Sequence, residues 1–126
     1  MLDHVSVAVA DLRASAATYE NVLGALNLTR LVERPATVGF GKNYPEFWLN
    51  ARHGLKPLPA DTGIHICLRA ATEDAVNAFH AEAMKAGWTD AGAPGPRQAA
   101  MTLYYAAFVQ DPDGNKLEAA AFPRKA

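Results

Sequence analysis

Two histidines and one glutamate occupy the positions from which this chain could do chemistry. His4 opens an alternating stretch, HVSVAV, and His65 lies in a second one, GIHICL, 61 positions later. Glu118 stands inside an apolar run, KLEAAAF, directly after the turn sequence DPDG. An Asp-Gly pair favours a tight reversal, because Gly takes positive φ freely and Asp bonds to its own backbone. The turn does not account for a carboxylate between Leu117 and Ala119. In extended chain, successive side chains face opposite sides. Val5/Val7, Phe47/Leu49, Ile64/Ile66 and Leu117/Ala119 take the side expected to pack under helices, so His4, Trp48, His65 and Glu118 take the other. If the sheets carrying them curl into one cup, two imidazoles and one carboxylate converge inside it. Such a set suits a divalent metal and leaves coordination positions open for substrate or water.

The elements that must position these residues repeat. HVSVAV predicts a strand, Asp11 a helix cap, and Leu12, Ala16, Tyr19 and Leu23 a helical apolar stripe. LTRLVER (28–34), TVGF (37–40) and EFWLN (46–50) predict three more strands. ARHGLKPLPADTG (51–63), with two prolines and two glycines, reads as a linker. Then GIHICL restarts the pattern. Thr72 caps a helix striped by Val76, Phe79 and Ala83 and ended by Gly87. GAPGPRQ (92–98) reads as loop, and LYYAAFV (103–109) and KLEAAAF (116–122) as strands. An offset of 61 lays His65 on His4 and Thr72 on Asp11; an offset of 70 lays LEA (117–119) on FWL (47–49). The extra nine residues go into loops, and the order predicts a duplicated βαβββ unit.

Composition bounds the function. A chain of 126 residues, half of them hydrophobic, suits one α+β domain with a single core. With 12 basic and 13 acidic residues, nothing favours nucleic acid or an anionic membrane. One cysteine excludes an internal disulfide and points to a reducing compartment. The start, MLDHVSVAVADL, lacks the pattern of a signal peptide, and no apolar run reaches the roughly 18 residues of a membrane helix. The expectation is a soluble cytoplasmic protein.

Taken together, DHVSVAVADLRAS with Tyr19, GFGKNYPEFWL (39–49), GIHICLRA with VNAFH (63–80) and YYAAFVQDPDGNKLEA (104–119) resemble the vicinal oxygen chelate superfamily. That group includes glyoxalase I, bleomycin-resistance proteins, fosfomycin-resistance enzymes and extradiol dioxygenases. The resemblance covers roughly residues 2–122. It implies one domain over 1–122, with modules at about 1–52 and 62–122 forming a cup-shaped half-barrel, and a tail at 123–126. It implies metal ligands at His4, His65 and Glu118, Glu118 also being the catalytic group, with Zn, Ni, Mn or Fe as the ion. At the fourth ligand position glyoxalase I has a carboxylate and this chain has Trp48, which neither ligates a hard metal nor accepts a proton. Glyoxalase I isomerisation is therefore disfavoured. Dioxygenase-like, lyase or transferase chemistry on a small oxygenated substrate fits better. The alternative is a metal-free protein that sequesters a drug by stacking.

Further candidates line the same cup. Trp48 supplies an apolar wall. Tyr104 and Phe108 share one strand face and Tyr105 takes the other, so one set lines the cup while the other packs the core. Arg69 meets an anionic substrate group or forms a rim ion pair. Cys67 reads as a small apolar filler, and His53 and His80 as surface residues, His80 on the helix side. The first strands, VSVAV and IHICL, are apolar and almost without charge. As sheet edges they need cover, and with the habit of the superfamily this predicts a homodimer, with its site inside one chain or shared between two.

Overall fold

The computed structural model describes residues 1–123; apart from Pro123, the expected tail lies outside them. The element order is β1 (Val5–Val9), α1 (Leu12–Gly24), β2 (Thr29–Glu33), β3 (Thr37–Gly41), β4 (Pro45–Ala51), β5 (Ile66–Arg69), α2 (Glu73–Lys85), β6 (Thr89–Gln98), β7 (Leu103–Gln110) and β8 (Lys116–Ala121). These form two four-stranded sheets of matching order, β1-β4-β3-β2 and β5-β8-β7-β6. In each, the first strand runs parallel to the last and the others are antiparallel. The duplication is legible in the register. Ser6 sits opposite Trp48 in the first sheet, and Cys67 opposite Glu118 in the second, reproducing the offsets of 61 and 70.

Each helix starts where its cap residue stands. The Asp11 side chain accepts from the Ala14 amide at 3.1 Å, and Thr72 Oγ1 from the Ala75 amide at 3.0 Å. Satisfying a first-turn donor in this way contributes about 1 kcal/mol per helix. The helices bury Ala16, Tyr19, Val22 and Leu23 on one side and Val76, Phe79 and Ala83 on the other, against Val9, Phe40, Phe47, Leu49, Val109 and Leu117. Tyr105 packs on this helix side, its hydroxyl donating to Asn77 at 2.7 Å. That leaves Tyr104 and Phe108 on the other face.

Two expectations are corrected. Residues 92–98, expected as loop, lie in β6. Gly and the prolines Pro94 and Pro96 suggested a break, but β6 is an edge strand, where an absent N–H costs no ladder bond on the open side. Its register against β7 shifts twice, between Asp90 and Gly92 and between Gly92 and Gly95. Ile64, expected beneath a helix with Ile66, lies before β5 and is 72% exposed.

The DPDG turn does more than reverse the chain. Asp111 is buried and accepts from the amides of Asp113 and Asn115, the Asn115 side chain, and the Tyr19 hydroxyl at 2.6 Å. Asp113 accepts from the Ala10 amide, and the Asn115 side chain donates to the Ala8 carbonyl. The Tyr19 ring touches Phe47 of the first module and Trp88 of the second. One turn therefore ties the second module to β1 and α1 of the first. Gly114 takes φ +90° here, and Leu58 packs so close that a Cβ would have no room. Burial drives the Tyr19 hydroxyl well above 10, assisted by Asp111, and burial also raises the Asp111 carboxyl despite its hydrogen bonds. No helix among the described residues is long and apolar enough to cross a membrane.

Candidate functional site

Register defines what faces the side of the second sheet opposite the helix. Phe108 is opposite Glu118, Cys67 opposite Glu118, Arg69 opposite Ala120, and Arg97 opposite Tyr104. Glu118 is at the centre, its side chain only 5% exposed. His65, 44% exposed, precedes β5 and places Nε2 3.1 Å from Glu118 Oε1. The imidazole also packs edge-on to Phe108, centroids 5.5 Å apart. Glu118 Oε2 is buried and makes no hydrogen bond of good geometry, although the Cys67 thiol and the Tyr104 hydroxyl approach the carboxylate closely enough to interact with it. A buried, half-satisfied carboxylate is costly, so this oxygen is the strongest sign of a site.

Around the pair stand aromatic and cationic side chains. Tyr104 stacks on Phe122 at 4.6 Å, and Arg69 lies 4.7 Å over the Phe122 ring. Burial, followed by the charge of Glu118, raises the Tyr104 hydroxyl. Cys67 is a free thiol, partly open to solvent, pushed up to about 12 by desolvation and then by Glu118. It stays protonated near neutrality, which argues against a nucleophile, but the thiol is exposed rather than the buried filler expected from the sequence.

The first sheet carries the remaining candidates. His4 just precedes β1, with its side chain 55% exposed, and Nδ1 lies 2.8 Å from Asp3 Oδ1. Asp3 also accepts from the Tyr44 hydroxyl at 3.1 Å, so its partner on Nδ1 fixes how the imidazole is presented. Trp48 lies across Gly39, where a Cβ would come 2.9 Å from the indole. The Arg34 guanidinium lies over the ring, 5.7 Å from its centroid. His4, Arg34, Thr37, Tyr44, Trp48 and Asn50 border an open hollow of about 430 Å³.

The structure brings together His65, Glu118, Tyr104, Phe108 and Arg69, and separately His4 with Trp48. Among the described residues, no three His, Cys, Asp or Glu side chains gather closely enough to hold an ion. One chain therefore assembles two of the three expected metal donors. These two could fit one side of a divalent ion, with Glu118 Oε1 beside the imidazole nitrogen and Oε2 left over, but they do not by themselves complete a metal site. His53 is exposed, and His80 is taken by Asp90 at 3.0 Å. Sequence reasoning missed Lys116 and Arg97, which lie 5.3 Å and 5.9 Å over Phe108. Lys116 could have been found by parity, two residues before Glu118; Arg97 could not while 92–98 read as loop.

The duplicated βαβββ architecture is matched by the comparison with known families. The model for the Glyoxalase/Bleomycin resistance protein/Dioxygenase superfamily matches residues 1–119, and the chain belongs to it. A glyoxalase/bleomycin resistance protein from Albidiferax ferrireducens T118 is similar at TM-score 0.85 and 30% identity, covering 96% of this chain and 98% of that one. A glyoxalase/bleomycin resistance protein/dioxygenase family enzyme from Burkholderia phytofirmans PsJN follows at 0.67 and 20%, covering 94% and 96%. A genomically encoded fosfomycin resistance protein from Listeria monocytogenes gives 0.68 and 17%, covering 96% and 92%. The last two likenesses are of fold. No curated protein matches the sequence.

Proposed function

We propose that this protein is a divalent-metal-dependent enzyme acting on a small oxygenated substrate, with the ion held by His65 and Glu118 of one chain and His4 of a second copy. The observation that carries this reading is Glu118 Oε2, buried and poorly satisfied beside the Glu118–His65 contact. Sharing between chains is supported by the lack, among the described residues, of a three-donor cluster that would join His4 to that pair, and by the two open first strands, since β1 and β5 both end their sheets. Ser6, Val7 and Ala8 of β1 border a cavity of about 240 Å³ with the exposed side chains of Leu58 and Ile64. Apolar edges of this kind are covered in stable proteins by another sheet or chain, and a two-fold dimer would cover both while repeating the site.

When bound, such an ion supplies Lewis-acid stabilisation of substrate oxygen. The chain's own residues do the rest. Glu118 keeps one oxygen on His65 and offers the other to a cation or a substrate proton. Phe108 and Tyr104 wall the pair and limit water, which strengthens charge interactions there. Trp48 brings an apolar surface where a second carboxylate would be needed for glyoxalase I chemistry. The protein is accordingly expected not to isomerise the methylglyoxal–glutathione hemithioacetal at an appreciable rate, and efficient turnover of that adduct would overturn the argument from Trp48.

Elemental analysis of protein purified without chelators tests the central reading, with His65→Ala as control. Stoichiometric metal in the wild type and little in the variant is expected; none in either contradicts the enzyme reading. A metal-free binding protein is the second reading, favoured by the roomy hollow beside Trp48, where a flat ligand could stack.

A further inference from the structure

The face around Glu118 is built with more positive charge than the chain as a whole, which is net −1. Arg69, Arg97 and Lys116 all stand on it, and each lies over an aromatic ring of that face: Arg69 over Phe122 at 4.7 Å, Arg97 over Phe108 at 5.9 Å and Lys116 over Phe108 at 5.3 Å. Among the described residues none of the three forms an ion pair, whereas Arg30 at the far sheet edge has two carboxylate partners. Glu118 is the single carboxylate that the register places between them. Two positive charges are therefore left over on this face.

Arg97 is held rather than loose. Its Nη2 donates to the Ala93 carbonyl at 2.8 Å and Nη1 to the Pro96 carbonyl at 3.2 Å. The edge strand makes room for it: a Cβ on Gly92 would come 3.4 Å from Nη2 and 3.0 Å from the Phe108 ring, and one on Gly95 3.2 Å from Nη1. The strand's bulges and small residues thus shape a seat for the guanidinium against Phe108. A fixed guanidinium and an ammonium above one ring, neither in an ion pair among the described residues, form a recognition site for a carboxylate or phosphonate attached to a flat apolar body. The ring stacks the body and the cations take the anion.

We propose that the face formed by Arg69, Arg97, Lys116 and Phe108 selects a small anionic substrate, a carboxylate or phosphonate bearing a flat apolar group. This rests on the reading that the reacting centre is the His65–Glu118 pair, and it adds the substrate's charge and the residues that read it. The anion is bound at the cationic rim, which leaves the substrate's remaining oxygens for the centre. Because the pairing is partly solvent-exposed, affinity falls with ionic strength.

The test is calorimetric titration of the whole protein, both as purified and after chelator treatment, with benzoate, phenylphosphonate and the uncharged benzamide at low and high salt. Expected is binding of the two anions, with benzamide about tenfold weaker or undetectable, as loss of a charge-assisted contact implies. Lys116→Gln and Arg97→Gln each weaken benzoate several-fold, while Arg97→Lys keeps part of the affinity, which separates charge from strand packing. Equal binding of benzoate and benzamide would overturn the proposal, as would unchanged benzoate affinity in folded Lys116→Gln. Anion binding in a protein that never loads metal sinks the enzyme reading alone. Metal loading with no preference for anions sinks this proposal alone.

Discussion

The two modules share a backbone plan and differ at one decisive place. Position for position, Trp48 in β4 matches Glu118 in β8, each opposite the second residue of its first strand. In the first module the indole lies flat on Gly39 and the histidine is exposed, tied only to its neighbour Asp3. In the second, the carboxylate is buried, the histidine meets it, and the aromatic has moved one strand over to Phe108, lying on Gly92. The two sheets have matching order, but one presents an apolar indole where the other presents a carboxylate. An apolar wall carries no such cost, whereas a buried carboxylate with one oxygen poorly satisfied is expensive to keep.

The largest test of this asymmetry is Glu118→Leu. It should abolish metal loading and anion-dependent turnover while leaving stability unchanged or higher by about 1–3 kcal/mol, because a buried, poorly satisfied oxygen is removed. Chemical denaturation alongside elemental analysis reads both, and a large loss of stability would mean Glu118 is structural. Next come the glycines beneath the aromatics. In Gly39→Ala the new Cβ meets Pro45 and Trp48 at 2.9 Å, so we expect a loss of about 1–3 kcal/mol. Gly92→Ala meets the Phe108 ring at 3.0 Å and should cost less, about 1 kcal/mol or below; urea midpoints rank the two, and a reversed order would break the comparison.

The joint between modules gives smaller effects. Tyr19→Phe removes one of four bonds to buried Asp111 and should cost about 1–2 kcal/mol, read from thermal unfolding. Asp111 itself sets a pH slope. Burial raises its carboxyl above 3.8, so the folded state binds the proton more tightly than the unfolded one. Its contribution to stability is fully present below 3.8 and is lost as pH rises through the raised value. Asp111→Asn should flatten that part of the stability–pH curve; an unchanged slope would show that Asp111 does not set it.

Much of this was legible in the residues. The alternation of VSVAV, the caps Asp11 and Thr72, and the offsets of 61 and 70 carry the fold, because strand parity and capping are local. The pairing of His65 with Glu118 was also legible, since parity assigns faces. What was not legible depended on distant partners. Pro94 and Pro96 in β6 are tolerable only because the strand is an edge, which the sequence does not reveal. Asp111 looked like turn chemistry alone, because Tyr19 lies 92 positions away. Whether His4 reaches the pair depended on how two sheets sit in space, and no period or spacing encodes that.

The proposed site is completed by a second chain, and one mixing experiment addresses it directly. His4→Ala and Glu118→Ala are each prepared and found without metal, then unfolded together, refolded and analysed. Random pairing makes half the dimers mixed, and each mixed dimer has one intact site, so about a quarter of the wild-type metal should return. Full metal in His4→Ala alone, or none in the refolded mixture, would contradict a site shared between chains.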